Sequence, residues 1–269
     1  MILDGHIHIH NNPVDQARLL AEFKQAGLDG ATLISLSPAA FVFEGPKGTK
    51  ERLDNLMEWT RGAANLFPFY WIDPTEKDAI DQVAQACARG VAGFKTICNH
   101  FYPGDGRAMD TYRAIAKAGK PMLFHSGILW DGKVSSKYNR PVEFECMLDV
   151  PNFRFTCAHV SWPWVDECVA TFGKIDQARK SGHATCEMFI DVTPGTPPIY
   201  REEALFKLLT LVSDTNIIFG SDSETHVSMV NWVRETVQRD NKIYDKLGVS
   251  QDRRDNIFAR NLQRFIAGK

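Results

Sequence analysis

Eight short apolar runs recur along the chain, and each is followed by polar loop residues and then by a helix-like pattern. The runs are rich in β-branched and aromatic residues and lack strict alternation, which is typical of strands that are buried on both faces. We predict a β-strand at each run: residues 2–9, 30–36, 67–73, 91–98, 121–127, 153–160, 184–192 and 216–222.

Helical spacing of apolar residues appears between these runs. Gly27 is expected to cap the first helix, and Thr75 with Asp78 resembles a capping box that opens the third, which closes at Gly90. The predicted helices cover residues 14–27, 50–65, 75–90, 109–119, 162–180, 200–213, 226–239 and 251–267.

Eight strands that alternate with eight helices predict an α/β fold, a (β/α)8 TIM barrel. A doubly wound open sheet is the main alternative, but the chain shows eight units and no glycine-rich phosphate loop. No linker or low-complexity tract divides the sequence, so we expect residues 1–269 to form a single domain.

Composition narrows the functional classes. The chain has 44% hydrophobic and 24% charged residues and a net charge of −2, which favours neither a nucleic acid nor a membrane as a partner. No apolar run reaches the roughly 18 residues of a spanning helix. The first strand starts at Ile2, so we do not expect a secretory signal. Six cysteines without close pairs are typical of reduced thiols, and we expect a cytoplasmic protein without a thiolate zinc site.

Histidines are concentrated where the predicted strands end. His6 and His8 lie late in the first strand, His125 and His159 end the fifth and sixth, and Asp222 ends the eighth. A TIM barrel carries its active site at this end of the strands. Five such groups in one apolar mouth would be costly to desolvate without a partner. Because imidazole and carboxylate are good zinc ligands, the pattern predicts a divalent metal site.

The opening stretch HIHIH places three imidazoles on one face of the first strand. A strand rises about 3.3 Å per residue, so His6 and His8 can chelate one ion, whereas His10 would be too far from His6 to share it. Asn11, Asn12 and Pro13 indicate that the strand ends near His10. We therefore interpret His10 as a substrate or loop contact.

The ordered motifs resemble the amidohydrolase superfamily, in particular the amidohydrolase-related group that contains metal-dependent hydrolases and decarboxylases. The resemblance covers the whole chain. The matching motifs are DGHIH on the first strand, GFK on the fourth, FHSG on the fifth, CAHVS on the sixth, FGSD on the eighth, and the closing IFARNLQRFI.

This resemblance implies that His6, His8, His125 and Asp222 bind the metal, which we expect to be one zinc ion. It also implies catalytic roles for two side chains. Asp222 would take a proton from the activated water and hand it to the leaving group. His159 would polarise the substrate oxygen or complete a second metal site.

Lys95, late in the fourth strand, has two interpretations under the same resemblance. In relatives with two metals, a lysine on this strand is carbamylated and bridges the ions. In the one-metal type, which we favour here, an unmodified lysine is a cation for a substrate carboxylate. A third interpretation is that Lys95 is merely solvated at the barrel mouth and has no role in the site.

Four further residues are candidates for substrate binding. His10, His100 and Arg107 lie on or near loops that follow strands, where Arg107 would suit a carboxylate. Glu187 is placed in the middle of the seventh strand, where a buried carboxylate needs a partner, and Lys95 or a metal-bound histidine would serve.

The predicted activity is hydrolysis of an amide, lactone or ester bond in a small organic substrate that carries a carboxylate. A nonoxidative decarboxylase or hydratase on the same metal site is the alternative. TatD-like nucleases and seven-stranded phosphoesterases are further alternatives, weakened by Lys95 in place of a glutamate and by the eight strands. A barrel that only binds a ligand or partner is disfavoured by the intact ligand set. A homo-oligomer is allowed, although no feature marks an interface.

Overall fold

The computed structural model describes residues 1–41 and 48–268. Each predicted strand is present, and each pairs in parallel with its neighbour in the sequence. The strands are β1 (Leu3–His8), β2 (Gly30–Ile34), β3 (Leu66–Trp71), β4 (Gly93–Thr96), β5 (Met122–Phe124), β6 (Arg154–Cys157), β7 (Glu187–Asp191), β8 (Ile217–Ile218) and β9 (Ser223–Glu224).

The eighth strand, predicted at residues 216–222, is shorter than predicted, and a second short strand, β9, follows it; together they close the barrel. β8 pairs with β7, whereas β9 pairs with β1 through Ile7 and Ser223. Between them, the amide of Gly5 donates to the carbonyl of Phe219 at 2.9 Å. The fold is a (β/α)8 TIM barrel, as predicted, with a break in its last strand at residues 219–222.

Helices follow the strands on the outside of the barrel. They are α1 (Gln16–Ala26), α2 (Thr49–Trp59), α3 (Ala79–Ala88), α4 (Gly106–Lys117), α5 (Val165–Lys180), α6 (Pro198–Leu211), α7 (Val230–Lys246), α8 (Gln251–Asp255) and α9 (Asn261–Ala267), with one π-helical turn between the last two. Gly27 caps α1 in a left-handed conformation with φ 81°, as predicted. Among the described residues, no helix has the length and apolar character needed to cross a membrane.

The predicted start of the third helix at Thr75 is wrong. The Thr75 hydroxyl donates to Asp73 at 2.7 Å, which keeps it in the loop after β3, and α3 begins at Ala79. The last helix, predicted as one segment, is divided by the π-helical turn. All six cysteines are unbonded, as predicted.

The interior of the barrel has an apolar lower half. The inward-facing side chains of Leu3, Phe69, Leu123 and Phe189 form one buried cluster with Phe265 of α9. The Phe265 ring lies 4.9 Å from that of Phe189. The last helix therefore closes the barrel at the amino ends of the strands and leaves the opposite end open for a site.

Candidate metal centre

A cavity of about 310 Å³ opens at the carboxyl ends of the strands. Apolar side chains, including Trp71, Ile97 and Leu129, form much of its wall. Six polar side chains that the sequence singled out converge in it: His6, His8, Lys95, His125, His159 and Asp222. The predicted convergence of the strand ends on one cavity is confirmed.

Three of these side chains form a compact donor set. The Nε2 atoms of His6 and His8 lie 3.2 Å apart, and they are 3.4 and 3.6 Å from Oδ1 of Asp222. Zinc bound tetrahedrally at its usual 2.0–2.2 Å separates its ligand atoms by about 3.3–3.6 Å. The spacing of the three atoms therefore fits a shared divalent ion.

His159 lies close to this donor set. Its ligand atom lies within 4.8 Å of those of His6 and Asp222. Thr193 hydrogen-bonds Nδ1 of His159 at 2.8 Å, so Nε2 is the nitrogen left for a ligand or substrate.

His125 lies beside His159, with the two ring centres 4.9 Å apart. Its Nε2 is 3.1 Å from the carbonyl oxygen of Ile128. When Nε2 donates this bond, Nδ1 keeps its lone pair, so the predicted metal ligand His125 would bind through Nδ1.

The protonation state of the cavity histidines suits metal binding. Burial lowers the pKa of His6, His8 and His159 well below the usual value, and lowers the pKa of His125 to about 3. Neutral imidazoles keep the lone pairs that a metal needs. Enclosure in the cavity also raises the pKa of Asp222, an effect that the Lys95 ammonium opposes.

Two site residues adopt a backbone conformation that side chains rarely take. His159 has φ 62° and Asp222 has φ 57°, and the β-branched Val160 next to His159 is also left-handed at 49°. Each such residue costs about 1–3 kcal/mol and persists only where its surroundings hold it. The backbone turns at the ends of β6 and β8 thus aim His159 and Asp222 into the cavity.

Close glycine contacts surround two of the cavity histidines, His159 and His6. A Cβ on Gly195 would lie 2.6 Å from the Cβ of His159, and one on Gly220 would lie 2.9 Å from the Cβ of His6. Neither contact leaves room for a side chain. Both histidines therefore depend on a glycine of a neighbouring loop or strand break.

Two carboxylates that the sequence analysis missed support the donor set. Asp191, at the end of β7 and 1% exposed, accepts from Nδ1 of His6 at 2.8 Å, which directs Nε2 of His6 into the cavity. Asp4 accepts from the amides of His6 and Ser221, both at 3.0 Å, and so joins β1 to the break in the eighth strand. A buried aspartate inside an apolar strand is the signal that would have found both.

Lys95 lies inside the cavity and is only 1% exposed. Its Nζ is 3.3 Å from Nε2 of His6, and burial lowers its pKa to about 8. A merely solvated lysine is therefore excluded, and its role toward substrate stays a prediction.

The other predicted substrate contacts divide into two groups. His10 lines the cavity, near its mouth. His100 and Arg107 are not among the described residues that line it: His100 lies 3.4 Å from Asp73, and Arg107 pairs with Asp105 at the start of α4.

The prediction for Glu187 is wrong. Glu187 is the first residue of β7, in register with Arg154 at the start of β6, and therefore lies at the amino end of the barrel. Both of its oxygens accept from Arg264 of α9 at 2.9 Å. Its strand begins three residues later than predicted, so the residue expected in the middle of the strand is at the end opposite the cavity.

The donor set as a whole fits a divalent metal. It combines neutral imidazole nitrogens with one carboxylate, the ligand types that zinc prefers. The carboxylate of Asp191 behind His6 is a common companion of a metal-binding histidine.

Comparisons with known proteins agree with the barrel and identify a family. The family model described as amidohydrolase matches residues 4–266. No curated protein matches the chain significantly.

Among solved structures, a Pseudomonas putida protein provisionally named a 2-pyrone-4,6-dicarboxylic acid hydrolase has a TM-score of 0.66 at 14% identity, over 99% of this chain and 97% of its own. Dihydroorotase from Campylobacter jejuni has a TM-score of 0.63 at 12% identity, over 100% and 83%. An amidohydrolase from Burkholderia ambifaria with bound Zn has a TM-score of 0.56 at 15% identity, over 94% and 68%. At these identities the likeness shows the fold.

Proposed function

The chain belongs to the amidohydrolase family of metal-dependent hydrolases, and from that premise we propose that it hydrolyses an amide, lactone or ester bond in a small substrate that carries a carboxylate. The observation behind this proposal is the buried Lys95 ammonium, which shares a 310 Å³ cavity with the donor set. An anionic group of the substrate would pair with Lys95 while the bond to be cleaved lies beside Asp222 and His159.

His6, His8, His125 and Asp222 would hold one zinc ion, with Asp191 orienting His6. Such an ion would act as a Lewis acid and would lower the pKa of water to about 7. His159 remains beside this set as a group that acts on the substrate.

Asp222 and His159 have separate tasks in this mechanism. Asp222 takes the proton of the attacking water and delivers it to the leaving oxygen or nitrogen, as a general base and then a general acid. When Thr193 donates to Nδ1 of His159, Nε2 carries the proton and donates to the substrate carbonyl oxygen. That bond strengthens as negative charge develops on the oxygen.

The size and polarity of the cavity support a small molecule as the substrate. Its wall contains Trp71, Ile97 and Leu129, which suit a planar or partly apolar body. The net charge of −2 favours neither a nucleic acid nor a membrane partner.

The proposal is tested with paired substrates and a lysine variant. Lactones, cyclic amides and esters are assayed with and without a carboxylate, and the products are identified together with any CO₂. We expect Lys95→Met to lower kcat/KM by about 10–100-fold for the carboxylate substrates and by less than threefold for their neutral analogues, because only the carboxylate substrates lose a charge-assisted contact of about 1.5–3 kcal/mol.

Arg107→Ala is the matched control, since Arg107 is a cation on the same face of the barrel but outside the cavity lining. It should change kcat/KM less than twofold for both substrates. Metal content is measured for each variant, because Lys95 touches His6. Equal losses on both substrates would contradict the role of Lys95, and CO₂ release without hydrolysis would replace the hydrolase by a decarboxylase.

A further inference from the structure

A second group of potential metal ligands lies at the mouth of the cavity. It consists of His10, Glu224 and His226, whose ligand atoms all lie within 4.8 Å of one another. We propose that this rim cluster is a second, separate binding site for a divalent cation of the zinc class. The proposal is independent of the reaction that the buried centre performs.

The strand pairing builds the rim cluster. β1 and β9 run parallel with His8 opposite Glu224. The pairing continues beyond the strands, since the Thr225 amide donates to the His8 carbonyl and the His10 amide donates to the Thr225 hydroxyl. His10 and His226, two residues further along each segment, are thus side by side, with ring centres 4.2 Å apart.

The distances within the rim cluster suit a bound ion. Nε2 of His10 is 3.4 Å from Oε1 of Glu224, and Nδ1 of His226 is 3.4 Å from Oε2. Both separations match the roughly 3.3–3.6 Å between ligand atoms on a tetrahedral zinc ion. Two imidazoles that converge on one carboxylate are a typical three-residue zinc set.

The rim cluster is more exposed to solvent than the buried donor set. The side chains of Glu224 and His226 are 45% and 39% exposed, whereas His6 is fully buried. An ion here would keep coordination positions open to water or to an anionic ligand. Because His10 and Glu224 also line the cavity, such an ion would lie at its opening and add positive charge there.

The experiment uses the protein as purified, with its buried metal content measured first. The protein is dialysed against micromolar Zn²⁺ and bound zinc is counted, and crystals soaked in Zn²⁺ are examined by anomalous diffraction at the zinc edge. We expect one ion more than the buried centre holds, with an anomalous peak between His10, Glu224 and His226.

Two single variants identify the ligands of the extra ion. His226→Ala and Glu224→Gln should each lose that ion and its peak while the peak at the buried donor set remains. His183→Ala is the matched control, because His183 is another exposed histidine and hydrogen-bonds Ser181 outside the cavity. It should retain both ions, and thermal melting of each variant confirms folding.

Two outcomes overturn the proposal. Wild-type protein that takes up no ion at the rim would show that Glu224 only forms ion pairs with its two histidines. An extra ion that His226→Ala retains would belong elsewhere, for example to a two-metal buried centre at Lys95. Neither outcome depends on turnover, so failure of the rim site and failure of the proposed hydrolysis are distinguishable.

Discussion

The two ends of the barrel use similar charged residues for opposite purposes. At the amino end, the Glu187 carboxylate is held by Arg264 through two bonds of 2.9 Å, and α9 covers the barrel. At the carboxyl end, the Asp222 carboxylate faces neutral imidazoles and is 32% exposed. A carboxylate matched by a guanidinium is typical of structure, and one among histidines in an open cavity is typical of metal binding.

The backbone differs between the two ends as well. Glu187 lies in a regular strand, whereas Asp222 and His159 occupy left-handed conformations, and His159 is also in close contact with Gly195. Strain of this kind concentrates at functional sites because neighbouring structure stabilises it there. The left-handed backbone at His159 and Asp222 therefore supports a functional site at the carboxyl end, independently of any relative.

The substitution of Asp222 is expected to lower turnover the most. Asp222→Asn keeps the size of the side chain but removes a metal ligand and the proposed proton acceptor, so we expect turnover to fall by about 10³-fold or more. Steady-state kinetics with metal analysis measures this. A variant that keeps more than a tenth of the activity would contradict the role of Asp222.

Asp191 is expected to have an intermediate effect through His6. Asp191→Asn removes the charge that orients the imidazole at 2.8 Å, and loss of such a companion lowers metal affinity by about 10–100-fold. Competition with a chelator measures the affinity, and excess metal should restore part of the turnover. A purely structural role would instead lower the melting temperature with no change in affinity.

Glu187 should affect stability and leave catalysis intact. Glu187→Ala leaves Arg264 without its carboxylate, and because the Arg264 side chain is 26% exposed, we expect a loss of about 2 kcal/mol, less than for a fully buried pair. This corresponds to a melting temperature lower by about 4–8 °C.

The matched conservative variant, Glu187→Gln, should lose less stability than Glu187→Ala, because it keeps a hydrogen-bond acceptor for Arg264. The kcat values of both variants at 25 °C should remain within twofold of the wild-type value. A large loss of turnover in either variant would contradict a purely structural role for the amino end of the barrel.

Much of the fold and part of the site could be predicted from local patterns. Apolar runs mark strands, and the fixed geometry of a parallel barrel brings the ends of different strands together, so His6, His8, His125, His159, Lys95 and Asp222 were expected in one place and lie in one cavity. The α3 start at Ala79 and the break after β8 were missed, because side-chain bonds of Thr75 and Asp4 replace the local pattern there.

By itself, the sequence determined the barrel and the end of it that carries the cavity, because both follow from the alternation of strand and helix patterns along the chain. It also determined that His6 and His8 point the same way, because that follows from their spacing along one strand. Tertiary structure alone decided that Glu187 faces Arg264, that Asp191 orients His6, and that His10 lies against His226. These contacts join segments up to 216 residues apart. They depend on strand register and on where each strand starts, and a shift of a few residues along the chain moves a side chain from one end of the barrel to the other.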